Sequence, residues 1–211
     1  MWRQRELRTT FWLLDVNYEV REGRPELWIW GIDNQGKRVL IIDRNFSAYF
    51  YLVVSEGQNP KTVVERVGAR EAEFLGILKL ESVRRRFFGK TVDAVKVSCQ
   101  DPDLVPKYAK ALTKVEGVKE SLEDDIRYSM RYLIDNGVSP CGWHEMEVEP
   151  LKNSFEAQVD KVYRAKSHPR SIEKAEVPKL RILGFSTIAY SSKGAPRPDR
   201  NPVVIISVAT N

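Results

Sequence analysis

The chain has 211 residues, of which 42% are hydrophobic, 30% charged and 10% aromatic, a composition that excludes an intrinsically disordered or fibrous protein. No apolar run approaches the roughly 18 residues of a membrane span, and the N-terminal segment MWRQRELRTT is charged where a signal peptide is apolar. The sequence therefore predicts a cytoplasmic protein without a membrane partner. Its net charge of +5 arises from basic residues beyond residue 151, a pattern that suits nucleic acid but is also common on soluble surfaces.

Metal-binding and redox residues are sparse. The two cysteines, Cys99 and Cys141, and the two histidines, His144 and His168, have neither zinc-site nor disulfide-framework spacing. There is also no glycine-rich phosphate loop. We therefore predict no metal and no cofactor.

The N-terminal segments alternate apolar and polar residues with the period of a β-strand. Turn residues, including the sequences EGRP and DNQG, separate these segments and favour antiparallel pairing of neighbours. The predicted strands are residues 11–18, 26–32, 37–43 and 48–54.

From residue 48 the pattern changes to strands alternating with helices. Two helix starts are marked by a capping residue followed by proline. The predicted elements after the strand at 48–54 are a helix capped by Asn59, strands 76–81 and 91–98, a helix capped by Asp101, and a strand at 118–122. This βαββαβ order predicts a mixed α/β (α+β) fold with a ferredoxin-like or RNA-recognition-like core.

A basic stretch, RRRFFGK, lies between the strands predicted at 76–81 and 91–98. We expect Arg84, Arg85 and Arg86 to form a solvated turn, in which they are candidate phosphate contacts. The neighbouring Phe87 and Phe88 are expected to anchor this turn in the core.

Residues 124–136 show the clearest helical period in the chain, and Gly137 suits the C-terminal cap. One apolar stripe is predicted to face the core. It consists of Ile126, Met130, Leu133 and Ile134.

The remaining part predicts a strand, an exposed connector and two apolar strands. The apolar strands need covering, either by the chain's own earlier strands or by a larger assembly. These predicted segments are 143–149, 167–179, 180–190 and 203–210, and we divide the chain into domains 1–139 and 140–211.

Several of these segments resemble the N-terminal region of archaeal family B DNA polymerases. The resemblance covers essentially the whole chain, and the pattern D-x-x-x-R-Y-L-I-D-x-G is its most discriminating part. The matching segments are LLDVNYEVREGRPELWIWGIDNQGKRV, DRNFSAYFYLVV, RRRFFGKTVDAVKVSCQDPDLVP, DDIRYSMRYLIDNG and PKLRILGFSTIAY with NPVVIISVATN. The resemblance implies an N-terminal domain with an RNA-recognition-like module, followed by the first strands of a ribonuclease-H-like 3′–5′ exonuclease domain.

The exonuclease of that family begins with a strand reading roughly F-D-x-E, whose carboxylates hold two divalent metals. Here the matching stretch starts at Phe185, with Ser186 in place of the aspartate and Ile188 in place of the glutamate. No acidic residue occurs between Arg181 and Arg197. The resemblance is therefore to the inactivated paralogues, and we expect no nuclease activity.

The resemblance also implies a pocket that captures deaminated bases, chiefly uracil, from single-stranded template. The corresponding positions in this chain are Tyr18, Ala48, Tyr49, Pro102, Val105 and Tyr128. Two neighbouring features depart from the family: Ala48 replaces a proline wall, and Arg127, a candidate phosphate contact, stands where proline is frequent. Taken without the resemblance, the tyrosines fit an ordinary packing role better than a binding role.

These features together predict a non-catalytic amino-terminal part of a family B DNA polymerase acting in replication or repair. It is expected to bind single-stranded template DNA and sense uracil. Its predicted partner is a second polypeptide that carries the remaining exonuclease and polymerase domains. Two alternatives stay open: a free-standing binder of single-stranded DNA or deaminated bases, and a residual 3′–5′ exonuclease.

Overall fold

The computed structural model describes residues 7–70, 73–152 and 157–211. In chain order the elements are β1 (Leu7–Arg21), β2 (Arg24–Asp33), β3 (Arg38–Asp43), β4 (Ala48–Val54), α1 (Pro60–Gly68), β5 (Ile77–Phe87), β6 (Lys90–Cys99), a 3₁₀ turn (Pro102–Leu104), α2 (Val105–Leu112), β7 (Val118–Leu122), α3 (Tyr128–Asp135), β8 (Trp143–Leu151), β9 (Lys161–Ala165), β10 (Arg170–Ser171), β11 (Leu183–Ala189) and β12 (Val203–Thr210). Within the described ranges, no helix has the length and apolarity that crossing a membrane requires.

The first sheet combines three strands from the beginning of the chain, β1 to β3, with the later strands β8, β9 and β10. Strands β1, β2 and β3 pair antiparallel in sequence order, as predicted. Strand β9 pairs parallel with β3, and β8 pairs with both β9 and β1, so these five strands form a closed ring. The short strand β10 adds to β8.

The second sheet has the order β5-β6-β4-β7, which is the strand order of a ferredoxin-like fold. This arrangement confirms the predicted βαββαβ core. Helices α1 and α2 cover one face of the sheet because their apolar residues pack on those of β4 and β6. The side chains that meet there include Phe50, Leu52, Val63, Val67, Val95, Ala109 and Leu112.

The buried face of α3 differs from the predicted stripe. Tyr128, Arg131 and Tyr132 are buried, whereas Met130 and Ile134 are 51% and 61% exposed. The predicted stripe was therefore wrong for these two residues. The tyrosines are buried because their hydroxyl groups reach buried acceptors, which satisfies the polar end of an otherwise apolar ring.

Strand β5 extends through the basic stretch, so Arg84, Arg85 and Arg86 lie in a strand and not in a turn. Phe87 pairs with Lys90, which leaves a two-residue turn at Phe88 and Gly89. Phe88 is 91% exposed, and the prediction that it anchors the turn in the core was wrong.

The C-terminal hairpin forms a compact unit of its own. Contacts divide the chain into Met1–Ala175 and Glu176–Asn211, and β11 pairs antiparallel with β12, as predicted. Strands β8 and β9 belong to the first sheet, so the predicted boundary at 139/140 does not coincide with this structural division. The assignment of residues 140–211 to an exonuclease-like domain remains a prediction.

Candidate functional site

A cavity of about 260 Å³ opens beside the start of β4. All six residues predicted for the base pocket line it, although they are widely separated in the sequence. They are Tyr18, Ala48, Tyr49, Pro102, Val105 and Tyr128.

Most of these residues occupy the first position of a strand, a helix or a 3₁₀ turn. Ala48 opens β4, Pro102 opens the 3₁₀ turn, Val105 opens α2 and Tyr128 opens α3. Proline at the first position suits a turn start, since its missing N–H has no partner there. The first N–H groups of any helix have no acceptor within that helix. In α3, no side chain caps them.

Two tyrosines form one wall of the cavity. The rings of Tyr18 and Tyr128 meet edge to face with centroids 5.3 Å apart. The Tyr18 hydroxyl donates to Asp103 Oδ1 at 2.6 Å, and the Tyr128 hydroxyl donates to the carbonyl of Phe46. The hydrogen bond to Asp103, with burial second, raises the pKa of Tyr18 to about 12. Burial also raises the pKa of Tyr128, so both rings stay neutral at physiological pH.

Charged side chains contact both the ring and the hydroxyl of Tyr49. The ammonium of Lys96 lies 3.8 Å and the guanidinium of Arg131 4.2 Å from the ring centroid. The hydroxyl donates to Asp135 Oδ2 at 2.6 Å. Burial and this hydrogen bond raise the pKa of Tyr49. The ring is therefore fixed from several directions.

Arg131 is a site residue that sequence analysis missed. It lines the cavity and is 5% exposed. Its Nη1 and Nη2 atoms donate to the Glu123 carboxylate at 2.7 Å and the Glu123 carbonyl at 3.0 Å. Burial alone lowers the pKa of this guanidinium, but hydrogen bonds to Glu123 and Tyr49 raise the pKa overall. Arg131 could have been predicted from its spacing of three residues from Tyr128, because residues with this spacing lie on one helix face.

Carboxylates also line the cavity, and sequence analysis did not identify them. They are Asp103, Asp124 and Asp125. Their negative charge disfavours a phosphate inside the cavity. The lining therefore combines apolar walls with acidic groups, which favours an uncharged ligand over an anion.

The other predicted residues lie in different places. Arg127 lines the cavity, whereas Arg84, Arg85 and Arg86 lie along β5 and do not line it. Ser186 and Ile188 pair with Ser207 and Ile205 in the C-terminal hairpin. In the part of the chain that the structure describes, no group of three or more histidine, cysteine, aspartate or glutamate residues is arranged to hold a metal ion.

Comparison with known proteins identifies the family. The family model "DNA polymerase family B, exonuclease domain" matches residues 120–211. DNA polymerase 3 of Saccharolobus shibatae is 34% identical over 202 residues, covering 94% of this chain and 25% of the relative. DNA polymerase 2 of Aeropyrum pernix is 31% identical over 203 residues, with the same coverage of 94% and 25%.

A solved structure gives the same relationship. The family B DNA polymerase from the hyperthermophilic archaeon Pyrobaculum calidifontis superposes with a TM-score of 0.73 at 34% identity, covering 95% of this chain and 25% of that one. The chain thus spans about a quarter of the length of the curated relatives it matches. It corresponds to the N-terminal region of the archaeal family B DNA polymerases.

Proposed function

We propose that this chain is a non-catalytic template-binding part of a DNA polymerase, which holds one unpaired base of single-stranded DNA in the cavity beside β4. Uracil is the preferred base. The observation that carries this proposal is that six side chains, predicted from the family resemblance, line one cavity of about 260 Å³.

The chemistry of the cavity supports a base as the ligand. Ala48, Pro102 and Val105 supply apolar surface, and the tyrosines supply aromatic rings, on which a base gains about 1–3 kcal/mol by stacking. The uncapped start of α3 offers N–H groups to the carbonyl oxygens on the edge of a pyrimidine. The volume lies slightly below the range of roughly 300–1,000 Å³ for drug-sized ligands, which suits a single small ring.

Selectivity for uracil is testable through Tyr18. We expect wild-type protein to bind a single strand containing one deoxyuridine roughly tenfold more tightly than the same strand with thymidine, because a methyl group that does not fit costs about this factor. The variant Tyr18→Ala should lose the preference, because it opens the wall that Tyr18 forms with Tyr128. The variant Tyr18→Phe keeps the ring and should retain most of it. Fluorescence anisotropy with end-labelled strands measures the two affinities for each of the three proteins.

Equal affinity of wild-type protein for the two strands would remove the base-sensing claim. A preference that survives Tyr18→Ala unchanged would place base recognition outside this cavity.

The same titrations, repeated with Mg²⁺, report on nuclease activity. Because Ser186 and Ile188 supply no carboxylate at the positions of the family's metal ligands, the labelled strand should remain full length.

We further propose that a second polypeptide carries the remaining exonuclease and polymerase domains and covers the C-terminal hairpin. Large apolar side chains on both strands of this hairpin are exposed, among them Phe185, Ile188, Ile206 and Val208. Exposed apolar surface of this kind is typical of an interaction site. Strand addition at a hairpin edge offers one way to cover it.

Co-purification from the source cell tests this association. We expect tagged chain to capture a protein carrying family B polymerase domains, and a double substitution, Phe185→Ser with Ile206→Ser, to reduce that capture. The double substitution Leu75→Ser with Met130→Ser, at exposed residues of the N-terminal unit, is the matched control. A chain that remains monomeric and captures no such protein would contradict the proposed association.

A further inference from the structure

The tip of the β5–β6 hairpin has an unusual turn. Phe87 pairs with Lys90, so Phe88 and Gly89 form a two-residue connection. Their φ angles are 45° and 79°. Two successive positive φ angles are characteristic of a type I′ turn, which matches the twist of a hairpin and favours Asn-Gly.

Phenylalanine is a poor choice for the first position of this turn. A bulky residue with a positive φ is a conformational outlier, and Asn or Gly adopts this conformation more easily. Core packing does not compensate, since Phe88 is 91% exposed. Strain of this kind at an exposed aromatic side chain suggests a binding role.

The surroundings of Phe88 define what it can bind. Its ring lies next to that of Phe87, with centroids 4.7 Å apart. Exposed basic side chains flank this pair on both strands: Arg84, Arg85, Arg86 and Lys90. Of these four, Arg84 forms an ion pair, with Asp93 at 3.3 Å, and the other three pair with no carboxylate among the described residues.

Arg85 is already oriented by the sheet. Its Nη2 donates to the hydroxyl of Tyr51 at 2.9 Å, and its guanidinium lies 5.0 Å from the centroid of that ring. The alternation of a strand places Arg84 and Arg86 on the opposite face. Cations therefore lie on both sides of the exposed aromatic tip.

We propose that this hairpin tip is a second contact for single-stranded nucleic acid, in which an unpaired base stacks on Phe88 and the flanking phosphates bind Arg85, Arg86 and Lys90. Aromatic platforms between cations are the common solution for binding single strands. A duplex lacks free base faces and suits the tip less well. The inference rests on the proposed binding of single-stranded DNA, but it uses none of the residues that line the cavity.

The variant Phe88→Asn separates binding from folding. Asparagine fits a type I′ turn better than phenylalanine, so the midpoint of thermal unfolding should stay constant or rise. Affinity for a labelled oligothymidylate should fall roughly tenfold because the stacking platform is lost. A merely structural role for Phe88 would not lower affinity while stability is kept. The variant Phe88→Tyr should bind like wild type, as should the matched control Leu75→Asn, whose original side chain is 84% exposed.

Salt dependence tests the phosphate contacts independently. The variant Arg86→Gln should lower the slope of log K against log salt by about 0.7, the value for one phosphate contact on a single strand. An unchanged slope would show that Arg86 does not contact a phosphate.

The outcomes distinguish this site from the cavity. Weaker binding by Phe88→Asn with an unchanged ratio of uracil to thymine affinity supports the hairpin site. Wild-type affinity of Phe88→Asn overturns it, and the cavity proposal then stands if Tyr18→Ala still removes the uracil preference. Absence of any strand binding by wild-type protein overturns both proposals. Binding to phosphatidylserine vesicles that Phe88→Asn abolishes, with strand binding intact, assigns the tip to a membrane and also overturns the inference.

Discussion

Replacing Arg131 with alanine is expected to lower the free energy of unfolding by about 2–3 kcal/mol. Arg131 is 5% exposed, and it joins α3 to the segment before it through two hydrogen bonds to Glu123. It also packs over the ring of Tyr49. Removing one partner of a fully buried ion pair costs about 3–5 kcal/mol. The smaller value applies here because the Glu123 side chain is 45% exposed and regains water.

Arg127 provides the matched control for this substitution. It is another arginine that lines the cavity, but it is exposed. Its replacement by alanine should change the free energy of unfolding by less than about 0.5 kcal/mol. If it contacts a phosphate, strand affinity and its salt dependence should fall together. Urea unfolding curves that are equal for Arg131→Ala and wild type would show that the Glu123 interaction does not support α3.

Replacing Tyr132 with phenylalanine is expected to lower the free energy of unfolding by about 1.5–3 kcal/mol. Tyr132 and Asp43 are both buried, and the tyrosine hydroxyl donates to Asp43 Oδ2 at 2.8 Å. Phenylalanine keeps the ring but leaves that carboxylate oxygen without its donor. A buried acceptor that loses a charge-assisted hydrogen bond retains its desolvation penalty. Burial, with the charge of Asp43 second, raises the pKa of Tyr132.

The same helix supplies a contrasting variant. Met130 belongs to the apolar stripe expected from the sequence, yet it is 51% exposed, so Met130→Ala should change stability by less than about 0.5 kcal/mol. Urea unfolding at constant m value compares the two variants directly. A larger loss for Met130→Ala than for Tyr132→Phe would mean that α3 faces the core as its hydrophobicity alone suggested.

The strands and the ferredoxin-like core followed from local patterns. Alternation in β2, β3 and β4 and the caps at Asn59 and Asp101 depend on neighbours within a few residues, which the sequence displays directly. The ring formed by β1, β2, β3, β9 and β8 could not be predicted in this way. The parallel pairing of β3 with β9 joins residues more than 100 positions apart, and no local signal specifies such a partner.

The rotation of α3 illustrates a second limit of sequence patterns. Hydrophobic periodicity predicts that Met130 and Ile134 are buried in preference to a tyrosine or an arginine. The opposite is observed because the hydroxyl of Tyr132 donates to Asp43 and the guanidinium of Arg131 donates to Glu123. These hydrogen bonds remove the penalty of burying polar atoms. Those partners are far away in sequence or lie in an irregular loop, so periodicity does not reveal them.

The six pocket positions came from the family resemblance and not from periodicity. The acidic lining, Asp103, Asp124 and Asp125, was missed because acidic residues next to a helix start are normally attributed to capping and the helix dipole. The exposed tip at Phe88 was missed because an aromatic pair between strands is usually a core element. The turn conformation that places Phe88 outside depends on the exact register of β5 and β6.

Photo-crosslinking with a single strand that carries one 4-thiodeoxyuridine tests the central claim most directly. This base has no methyl group at the position that distinguishes thymine from uracil, and near-ultraviolet light joins it to the residues it contacts. We predict crosslinked peptides that contain Tyr18, Tyr49 or Tyr128, and stronger competition by a deoxyuridine strand than by a thymidine strand. Crosslinks found solely outside the cavity-lining segments, or equal competition by the two strands, would contradict the assignment of the cavity as a template-base pocket.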